Sequence, residues 1–491
     1  MACVFMVSCK DLRFVNTFAQ LPAVFYSRLA PAPYAENYLV AINPAAAQLL
    51  NLDIDARSLS ADQLAGLDLP STCEPLAMLY AGHQFGSYVP QLGDGRALVL
   101  GDVYGADGAL WELQLKGAGP TPYSRRGDGR AVLRSSIREF LGCEAMHGLG
   151  VPTTRALSIT GSDEPVYREQ VETAATVLRF APTHVRFGSF EVHYYRNQHA
   201  NIKILADYII ARHYPEIAVH PQPYLEFLSH VIARTARLIA QWQAVGFTHG
   251  VMNSDNMSIL GLTMDYGPFG FMDAYNPGYN CNHSDSGGRY SFDQQPSIGL
   301  WNLACLAQTL IPLISVEDAK AALARYEEVF DAHYFALMTA KLGLVQADDE
   351  ARALVTTLLE IMAKNNVDYT LFLRRLGGFS SVSQDRNAEL RDMFLDREAF
   401  DAWAGRYAAR LMRTNCDAAA RKRRMLGVNP KYVLRNYMAQ SAIEKAQQKD
   451  FSEVEALLRV LQQPFAEHPA YAHYADYPPA WAEQIELSCS S

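Results

Sequence analysis

The sequence has no paired-cysteine motif. Its eight cysteines are scattered along 491 residues, and no two of them form a CxxC pair. They are Cys3, Cys9, Cys73, Cys143, Cys281, Cys305, Cys416 and Cys489. This spacing is typical neither of a disulfide scaffold nor of a zinc knuckle, so we expect a reducing compartment.

An excess of basic residues is also missing. The chain carries 43 Lys and Arg against 52 Asp and Glu, which gives a formal charge of -9. General nucleic-acid binders usually present a basic surface that displaces counterions, so no nucleic-acid partner is expected. The one compact basic run, from Arg421 to Arg424, is interpreted as a solvated helix face.

Long apolar runs and low-complexity tracts are absent as well. The first residues, MACVFMVSCK, are apolar but lack a basic start and are too short to span a bilayer. Apolar residues make up 49% and charged residues 19%, a composition typical of a globular protein. We therefore expect no membrane partner, and a cytoplasmic location and a monomeric state are the default expectations.

The order of periodic segments predicts the fold class. Residues 76–118 alternate like short strands, and LWELQLKG is the clearest of them. Helical spacing follows from Arg130 to Gly148 and again from Tyr224 to Val245, and several more helices are predicted between 297 and 445. Strands, one helix, a turn-rich region and a helical part are the order of an α+β, protein-kinase-like bilobal fold.

This order also predicts four parts of the chain. Residues 1–75 would form an N-terminal extension packed on a kinase-like N-lobe of residues 76–190. A helical C-lobe with the catalytic and metal-binding loops would take residues 191–463. The Pro-, Tyr- and His-rich residues 464–491 would form an irregular C-terminal tail.

Two elements of the strand-rich part are candidates for phosphate binding. Gly93 and Gly95 in QLGDGRA would let backbone N–H groups approach phosphate oxygens, although such a turn alone is more often an ordinary hairpin. Lys116 ends a strand, and Glu139 follows 23 residues later inside the predicted helix. Kinases aim a lysine at ATP phosphates through such a glutamate.

The segment HGVMNSDN has the spacing of a kinase catalytic loop. Asn256 lies seven positions after His249, and Asp265 precedes Tyr-Gly at the place of the metal-binding aspartate. Oxygen ligands of this kind suit Mg²⁺ or Mn²⁺. The usual base position holds Val251, so either Asp255 acts as the base from a shifted position or the protein is a pseudokinase.

Further candidates are charged residues next to apolar or glycine-rich sequence. Arg179 in TVLRFAP and Arg186 in HVRFGSF lie in strand-like stretches, where buried guanidinium groups need carboxylate or phosphate partners, and structural ion pairs are an equal alternative. Asp128 and Gly129 in RRGDGRA form a turn before the predicted helix, a place suited to an anion.

Five long motifs carry a resemblance to a known family. GHQFGSYVPQLGDGRA, LQLKGAGPTPYSRRGDGRAVLRSSIREFL, THGVMNSDNMSI, DYGPFGFMD and NPKYVLRNYMAQ are similar to the selenoprotein O family, called YdiU in bacteria, from about Phe14 onward. The resemblance implies a kinase-like fold that binds ATP in a flipped orientation and transfers AMP to Ser, Thr or Tyr hydroxyls of other proteins.

The same resemblance implies a role for each candidate. Asp255 would be the general base, Asn256 and Asp265 would hold the metal, and Lys116, positioned by Glu139, would contact phosphate. The residues that fall on the nucleotide-binding motifs are Gly93, Gly95, Arg96, Asp128, Gly129, Arg179 and Arg186. The implied cofactors are ATP as substrate and Mg²⁺ or Mn²⁺.

Members of the family often carry selenocysteine near the C-terminus, where this chain has Cys489. A reversible disulfide between Cys281 and Cys489 would then make activity depend on redox state. The alternatives left open are a kinase that transfers the γ-phosphate, a nucleotide-binding pseudokinase scaffold, and transfer of UMP with Mn²⁺.

Overall fold

The computed structural model describes residues 8–54, 60–383, 385–414 and 417–487, and these form a mixed α+β protein. The strands are β1 (Tyr26–Arg28), β2 (Tyr38–Ile42), β3 (Leu76–Met78), β4 (Gly82–Gln84), β5 (Ser87–Val89), β6 (Ala97–Tyr104), β7 (Leu110–Lys116), β8 (Ala131–Val132), β9 (Arg155–Tyr167), β10 (Val171–Ala181), β11 (Phe247–Thr248) and β12 (Gly270–Phe271). The main sheet has the order β1-β3-β6-β7-β10-β9-β2, with β8 paired to β10.

The register of the central strands places the predicted cationic residues on one face. Strand β7 pairs antiparallel with β10, so that Val177 lies opposite Lys116 and Arg179 opposite Gln114. Side chains two residues apart in a strand share a face, and directly opposite residues do so too. Lys116, Gln114 and Arg179 therefore project from the same side of the sheet.

Helices cover the sheet and form the remainder of the protein. They are α1 (Pro44–Leu49), α2 (Ala61–Leu64), α3 (Leu133–Gly148), α4 (Phe187–Tyr195), α5 (His199–His213), α6 (Pro223–Val245), α7 (Gln295–Leu310), α8 (Val316–Leu323), α9 (Tyr326–Lys341), α10 (Asp349–Lys364), α11 (Tyr369–Leu376), α12 (Ala388–Arg391), α13 (Arg397–Arg413), α14 (Ala418–Leu426), α15 (Asn436–Gln447) and α16 (Ser452–Leu461). None of the helices in the described ranges is long and apolar enough to cross a membrane.

Helix α3 is buried on most of its faces because it lies between the sheet and the C-terminal helices. It packs against β9 and β10 on one side and against α15 and α16 on the other. Its predicted core positions Leu133, Ile137, Phe140 and Leu141 are all buried. The helix begins at Leu133 rather than Arg130, because Ala131 and Val132 pair with β10 as strand β8.

The predicted helix from Tyr224 to Val245 is confirmed as α6. Pro223 occupies its first turn, where the missing N–H costs nothing, and Gly246 ends it with φ 71°. Helices α7, α8 and α9 pack on it and build the core of the helical part.

Two expectations about the second half of the chain need correction. The basic run is not solvated throughout, because Arg421 on α14 is buried, with Nη1 3.1 Å from the Tyr407 hydroxyl oxygen and Nη2 donating to the Phe379 carbonyl. The tail is not wholly irregular, because Pro469–Ala475 and Ala480–Gln484 are 3₁₀-helices.

The division of the chain into four parts stays a prediction. The first 75 residues contribute β1 and β2 to the main sheet, where β1 pairs with β3 and β2 pairs with β9. The sheet strands end at Ala181, and long helices follow. This arrangement positions the functional site, which lies where the sheet meets the first loops of the helical part.

A buried lysine generates a prediction about stability. Burial lowers the pKa of Lys341 from 10.5 to about 7, while its Nζ donates to the Val428 carbonyl over 3.0 Å. The lysine has its usual pKa of 10.5 in the unfolded chain and a pKa of about 7 in the folded chain, so between these pH values only the unfolded chain is protonated at this group. This group therefore makes the free energy of unfolding rise with pH from about 7 to 10.5. We expect Lys341→Met to flatten that rise and to be most stabilising, relative to the wild type, at or below pH 7.

The measurement is urea unfolding of both proteins at several pH values between 6 and 10, compared as differences so that other titrating groups cancel. The exposed Lys203→Met is the matched control and should leave the slope unchanged. Parallel stability curves for wild type and Lys341→Met would contradict the prediction.

Candidate functional site

A cavity of about 540 Å³ gathers most of the predicted site residues. Its lining combines the glycine turn before β6, the end of β7, the loop before α3, strand β10 and the loops between β11 and β12. The predicted residues that line it are Gly93, Gly95, Arg96, Lys116, Asp128, Gly129, Arg179, Arg186, Asp255, Asn256 and Asp265. Glu139 lies behind the lining, where it contacts Lys116 and Arg179.

Five charged side chains form a continuous network at one wall of the cavity. Lys116 Nζ donates to one carboxylate oxygen of Glu139, and Arg179 Nη1 lies 2.6 Å from the other. The same Arg179 nitrogen lies 2.8 Å from Asp265, whose second oxygen accepts from Arg186. Three cations and two carboxylates leave one net positive charge, which suits the binding of phosphate.

The pKa directions of the two carboxylates agree with this pairing, whereas burial, which outweighs the attraction of Glu139, lowers the pKa of Lys116. Burial alone would raise the pKa of Asp265, but Arg186, Arg179 and Lys116 outweigh it and hold that pKa well below its usual value. Burial likewise opposes ionisation of Glu139, yet Lys116 and Arg179 lower its pKa. Both carboxylates are therefore ionised near neutral pH.

The glycine turn holds a second loop in place. A side chain at Gly93, whose φ is 100°, would lie 2.5 Å from the ring of Tyr123, and one at Gly95 would lie 2.9 Å from the Tyr123 carbonyl oxygen. Thr121 donates its hydroxyl to the Asp94 carbonyl over 2.7 Å. The missing side chains thus allow the loop of residues 121–129 to close against the turn.

Asp128 lies in that loop and is held by a residue that the motifs did not indicate. Arg168, in the turn between β9 and β10, donates to both oxygens of Asp128 at 2.8 and 2.9 Å and also lines the cavity. This hydrogen bonding lowers the pKa of Asp128. Gly129, at φ 69°, has no room for a side chain, because a Cβ would lie 2.2 Å from Gly119.

Arg186 is extended but does not belong to a strand of the sheet. It precedes helix α4 and forms an isolated bridge with Ser258. Its Nη1 donates to the carbonyl of Asp255 over 2.7 Å as well as to Asp265. One guanidinium therefore ties the backbone of the loop of residues 249–256 to the aspartate that follows the loop.

Asp255 lies on a short 3₁₀ turn, Ser254–Asn256, and is buried. Burial, partly offset by Arg186 and Gln84, raises its pKa to about 7. Its Oδ1 has no hydrogen-bond partner in the part of the chain that the structure describes. A buried carboxylate oxygen without a donor is costly, which agrees with the raised pKa, and a carboxylate that lines the cavity is suited to accept a proton.

The residues present fit a hard divalent cation. The Asn256 amide nitrogen donates to the Val251 carbonyl over 2.9 Å, which leaves its oxygen for a ligand role, and Asp265 supplies a carboxylate nearby. Among the described residues, no group of three or more His, Cys, Asp or Glu side chains could hold a metal by itself. The oxygens of Asn256 and Asp265 are ligands of the type that Mg²⁺ and Mn²⁺ accept, and such ions usually take one or two protein ligands and complete their shell with phosphate oxygens and water.

Cys281, one of the two predicted redox cysteines, is not part of the cavity lining. Cys281 is buried, with Sγ 3.5 Å from the Thr248 carbonyl oxygen. Cys489 lies outside the described residues. The neighbouring described residue Leu487 accepts a hydrogen bond from the His283 N–H over 2.8 Å, so the tail reaches the segment that contains Cys281.

Comparison with known proteins decides the family. Residues 8–462 match the family model described as "Protein adenylyltransferase SelO". The chain belongs to this family. It is therefore an enzyme, a nucleotidyltransferase, as the family resemblance implied.

Curated relatives cover the whole chain. A protein nucleotidyltransferase YdiU of Thiobacillus denitrificans is 58% identical over 489 residues, which are 99% of this chain and 100% of the relative. The protein of the same name from Myxococcus xanthus is 56% identical over 488 residues, with 99% and 100% covered. One from Pseudomonas aeruginosa strain LESB58 is 51% identical over 488 residues with the same coverage.

The charge network predicts that Lys116 contributes to nucleotide affinity. Replacing it in Lys116→Met removes one cation and leaves Glu139 to pair with Arg179 alone, so the wall would lose its net positive charge. We expect the dissociation constant for ATP to rise about ten- to hundredfold, the usual range for a lost charge-assisted contact. Isothermal titration of ATP with Mg²⁺ measures it, and Lys203→Met on α5 is the exposed control. An unchanged ATP affinity would contradict the prediction.

Proposed function

We propose that the protein transfers AMP from ATP to Ser, Thr or Tyr hydroxyls of other proteins and releases pyrophosphate. The observation that carries this proposal is the buried carboxyl group of Asp255, a residue that lines the same cavity as the cationic network while the ordinary kinase base position is held by Val251. Membership in a family described as protein adenylyltransferases supports the choice of AMP as the transferred group.

The chain's own residues supply the proton acceptor and the charge compensation. Asp255 takes the proton of the acceptor hydroxyl, and the oxygen uses the freed electron pair to form a bond to the α-phosphorus. The bond from that phosphorus to the bridging oxygen breaks, and its electron pair leaves with pyrophosphate. Lys116 and Arg179 offset the charge of the phosphates, which favours the transition state through preorganised electrostatics.

A divalent cation held by Asn256 and Asp265 would supply further charge neutralisation on the phosphates. Asp265 is prepared for this because the two arginines keep it ionised. Gly93, Gly95, Arg96, Asp128 and Gly129, which also line the cavity, would surround the nucleotide.

We also propose that the fold is the kinase-like bilobal one, with the N-lobe at residues 76–190 and the helical C-lobe at residues 191–463. The concentration of sheet strands before Ala181 and of long helices after it supports this division. The cavity between the end of β7 and the loops after α6 is where such a fold would place ATP.

Labelled ATP separates the proposed activity from its alternatives. We expect incubation of the reduced protein with Mg²⁺ and ATP to transfer label from the α-phosphate, and none from the γ-phosphate, to casein or to the enzyme itself. Asp265→Asn and Asp255→Asn should lower the rate at least a hundredfold, because they remove the metal carboxylate and the proton acceptor. Transfer of γ-label would identify a kinase, and ATP binding without transfer would identify a scaffold.

The same assay with labelled UTP and Mn²⁺ tests UMP transfer. The cavity groups described above would contact phosphate and metal rather than the base, so they favour neither nucleotide. Competition between ATP and UTP at equal concentration gives the preference directly.

We propose in addition that activity is redox-regulated through Cys281 and Cys489. The hydrogen bond from His283 to Leu487 supports it, because it holds the described end of the tail beside the Cys281 segment. Each thiol would lose a hydrogen to form the disulfide, while a small disulfide oxidant such as oxidised glutathione is reduced to two thiols.

Mass spectrometry of unreduced digests tests this pairing. After treatment with oxidised glutathione we expect a linked peptide containing Cys281 and Cys489, lost on reduction, and a changed transfer rate in the wild type alone. Cys489→Ser should remove both effects, while Cys305→Ser, at a half-buried cysteine of α7, should keep them. Complete alkylation of both thiols under oxidising conditions would refute the disulfide.

A further inference from the structure

The turn of the β4–β5 hairpin lies at an opening of the cavity. Phe85 lines the cavity and is 42% exposed, so the cavity meets solvent at this residue. The N–H of Phe85 donates to the Tyr290 hydroxyl oxygen over 2.9 Å and to the Asn253 side-chain oxygen over 3.2 Å. Because Asn253 lies two residues before Asp255, this opening has a fixed position relative to the proposed proton acceptor.

Arg289 lies directly outside the opening. A Cβ at Gly86, the residue after Phe85, would lie 3.4 Å from Cζ of Arg289, 3.5 Å from Nη2 and 3.6 Å from Nη1. These are ordinary contact distances, so the guanidinium group lies against the turn of the hairpin. Arg289 does not line the cavity itself. It is therefore placed to meet the residues beside an acceptor hydroxyl and not the nucleotide.

Two aromatic rings and one carboxylate hold Arg289 in place. Its Cζ lies 4.8 Å from the ring centre of Trp301 on α7 and 5.8 Å from that of Tyr290, distances at which a cation is attracted to an aromatic ring. The backbone N–H of Arg289 donates to Asp285 Oδ1 over 3.1 Å, and that of Tyr290 donates to Oδ2 over 2.7 Å. The cation thus has a defined position before any ligand arrives.

The charge of Arg289 has no carboxylate partner in the part of the chain that the structure describes. Asp285 is occupied by the two backbone N–H groups, and the buried Glu191 pairs with His83 Nδ1 at 2.5 Å. The Arg289 Nε is buried without a hydrogen-bond partner, while the residue as a whole is half-buried. A partly buried guanidinium group without a counter-charge is suited to bind a carboxylate.

We propose that Arg289, with Phe85, Gly86 and Trp301, forms a subsite for an acidic side chain of the acceptor protein. This inference rests on the proposed function, since it concerns the protein that receives AMP. An acceptor segment whose hydroxyl enters the cavity beside Phe85 would carry its neighbouring residues across the turn to Arg289. Acceptors with Glu or Asp a few residues from the hydroxyl would therefore be preferred, and the preference would lie in the KM for the acceptor and not in the KM for ATP.

Charge reversal tests the subsite. Short peptides with a central Ser, Thr or Tyr carry either glutamate or lysine at each neighbouring position in turn, and transfer of α-label to each gives kcat/KM. We expect the wild type to prefer glutamate to lysine about fivefold at one of these positions, Arg289→Gln to lose the preference, and Arg289→Glu to prefer lysine. Each ratio compares two peptides on the same enzyme, so partial unfolding of a variant does not change it.

Arg234→Gln is the matched control. Arg234 also stacks on an aromatic ring, with Cζ 4.7 Å from the ring centre of Tyr214, but it does not line the cavity, so its replacement should keep the wild-type preference. Arg289→Gln should keep the wild-type KM for ATP.

Three results would overturn the subsite: equal use of glutamate and lysine by the wild type at every position, a preference for glutamate that survives in Arg289→Glu, or label on casein but on none of the peptides. If the wild type transfers no α-label to peptides or casein, the proposed function fails and the subsite fails with it. If it transfers α-label without a charge preference, only the subsite fails.

Discussion

The pairing of Asp265 with Arg179 and Arg186 is the interaction on which the rest of the cavity depends. It joins strand β10, the start of α4 and the loop before β12, three segments that are far apart in the chain. Taking these charges out of water costs several kcal/mol per ion, which only close pairing offsets. Loss of one partner would leave a buried charge unpaired at a cost of about 3–5 kcal/mol, so the network constrains the position of all three segments.

Such a network contributes little to the free energy of unfolding, because buried ion pairs often stabilise a protein no more than apolar residues of the same volume do. Its main effect is to fix the relative positions of the segments that carry the charges. Its value in the proposed reaction is that the charges are already oriented before the nucleotide arrives. The guanidinium groups also donate to more than one partner: Arg179 contacts Gln114 and Glu139 besides Asp265. Phosphate oxygens would therefore meet guanidinium groups that several contacts already hold in position.

Local patterns predicted a large part of this arrangement. Alternation in LWELQLK, helical spacing after it and the separation of Asn256 from His249 each depend on a few neighbouring residues, so one sequence suffices to find them. The pair of Asp128 with Arg168 was missed because it joins residues 40 apart through the turn of a long hairpin. The burial of Arg421 was missed because its partner residues, Phe379 and Tyr407, come from other segments of the helical part. Neither contact leaves a periodic signal.

The surroundings of Asp255 depend on two glycines, because the lack of a side chain at each lets backbone segments approach closely. A Cβ at Gly188 would lie 2.1 Å from the Ala81 carbonyl oxygen, and one at Gly82 would meet Asp255 at 2.7 Å. Both glycines have negative φ, so close approach and not backbone conformation requires them. Helix α4, the β4–β5 hairpin and the catalytic loop can thus touch through their backbones. Only at this separation does the side chain of Gln84 reach a carboxylate that lies 171 residues away in the sequence.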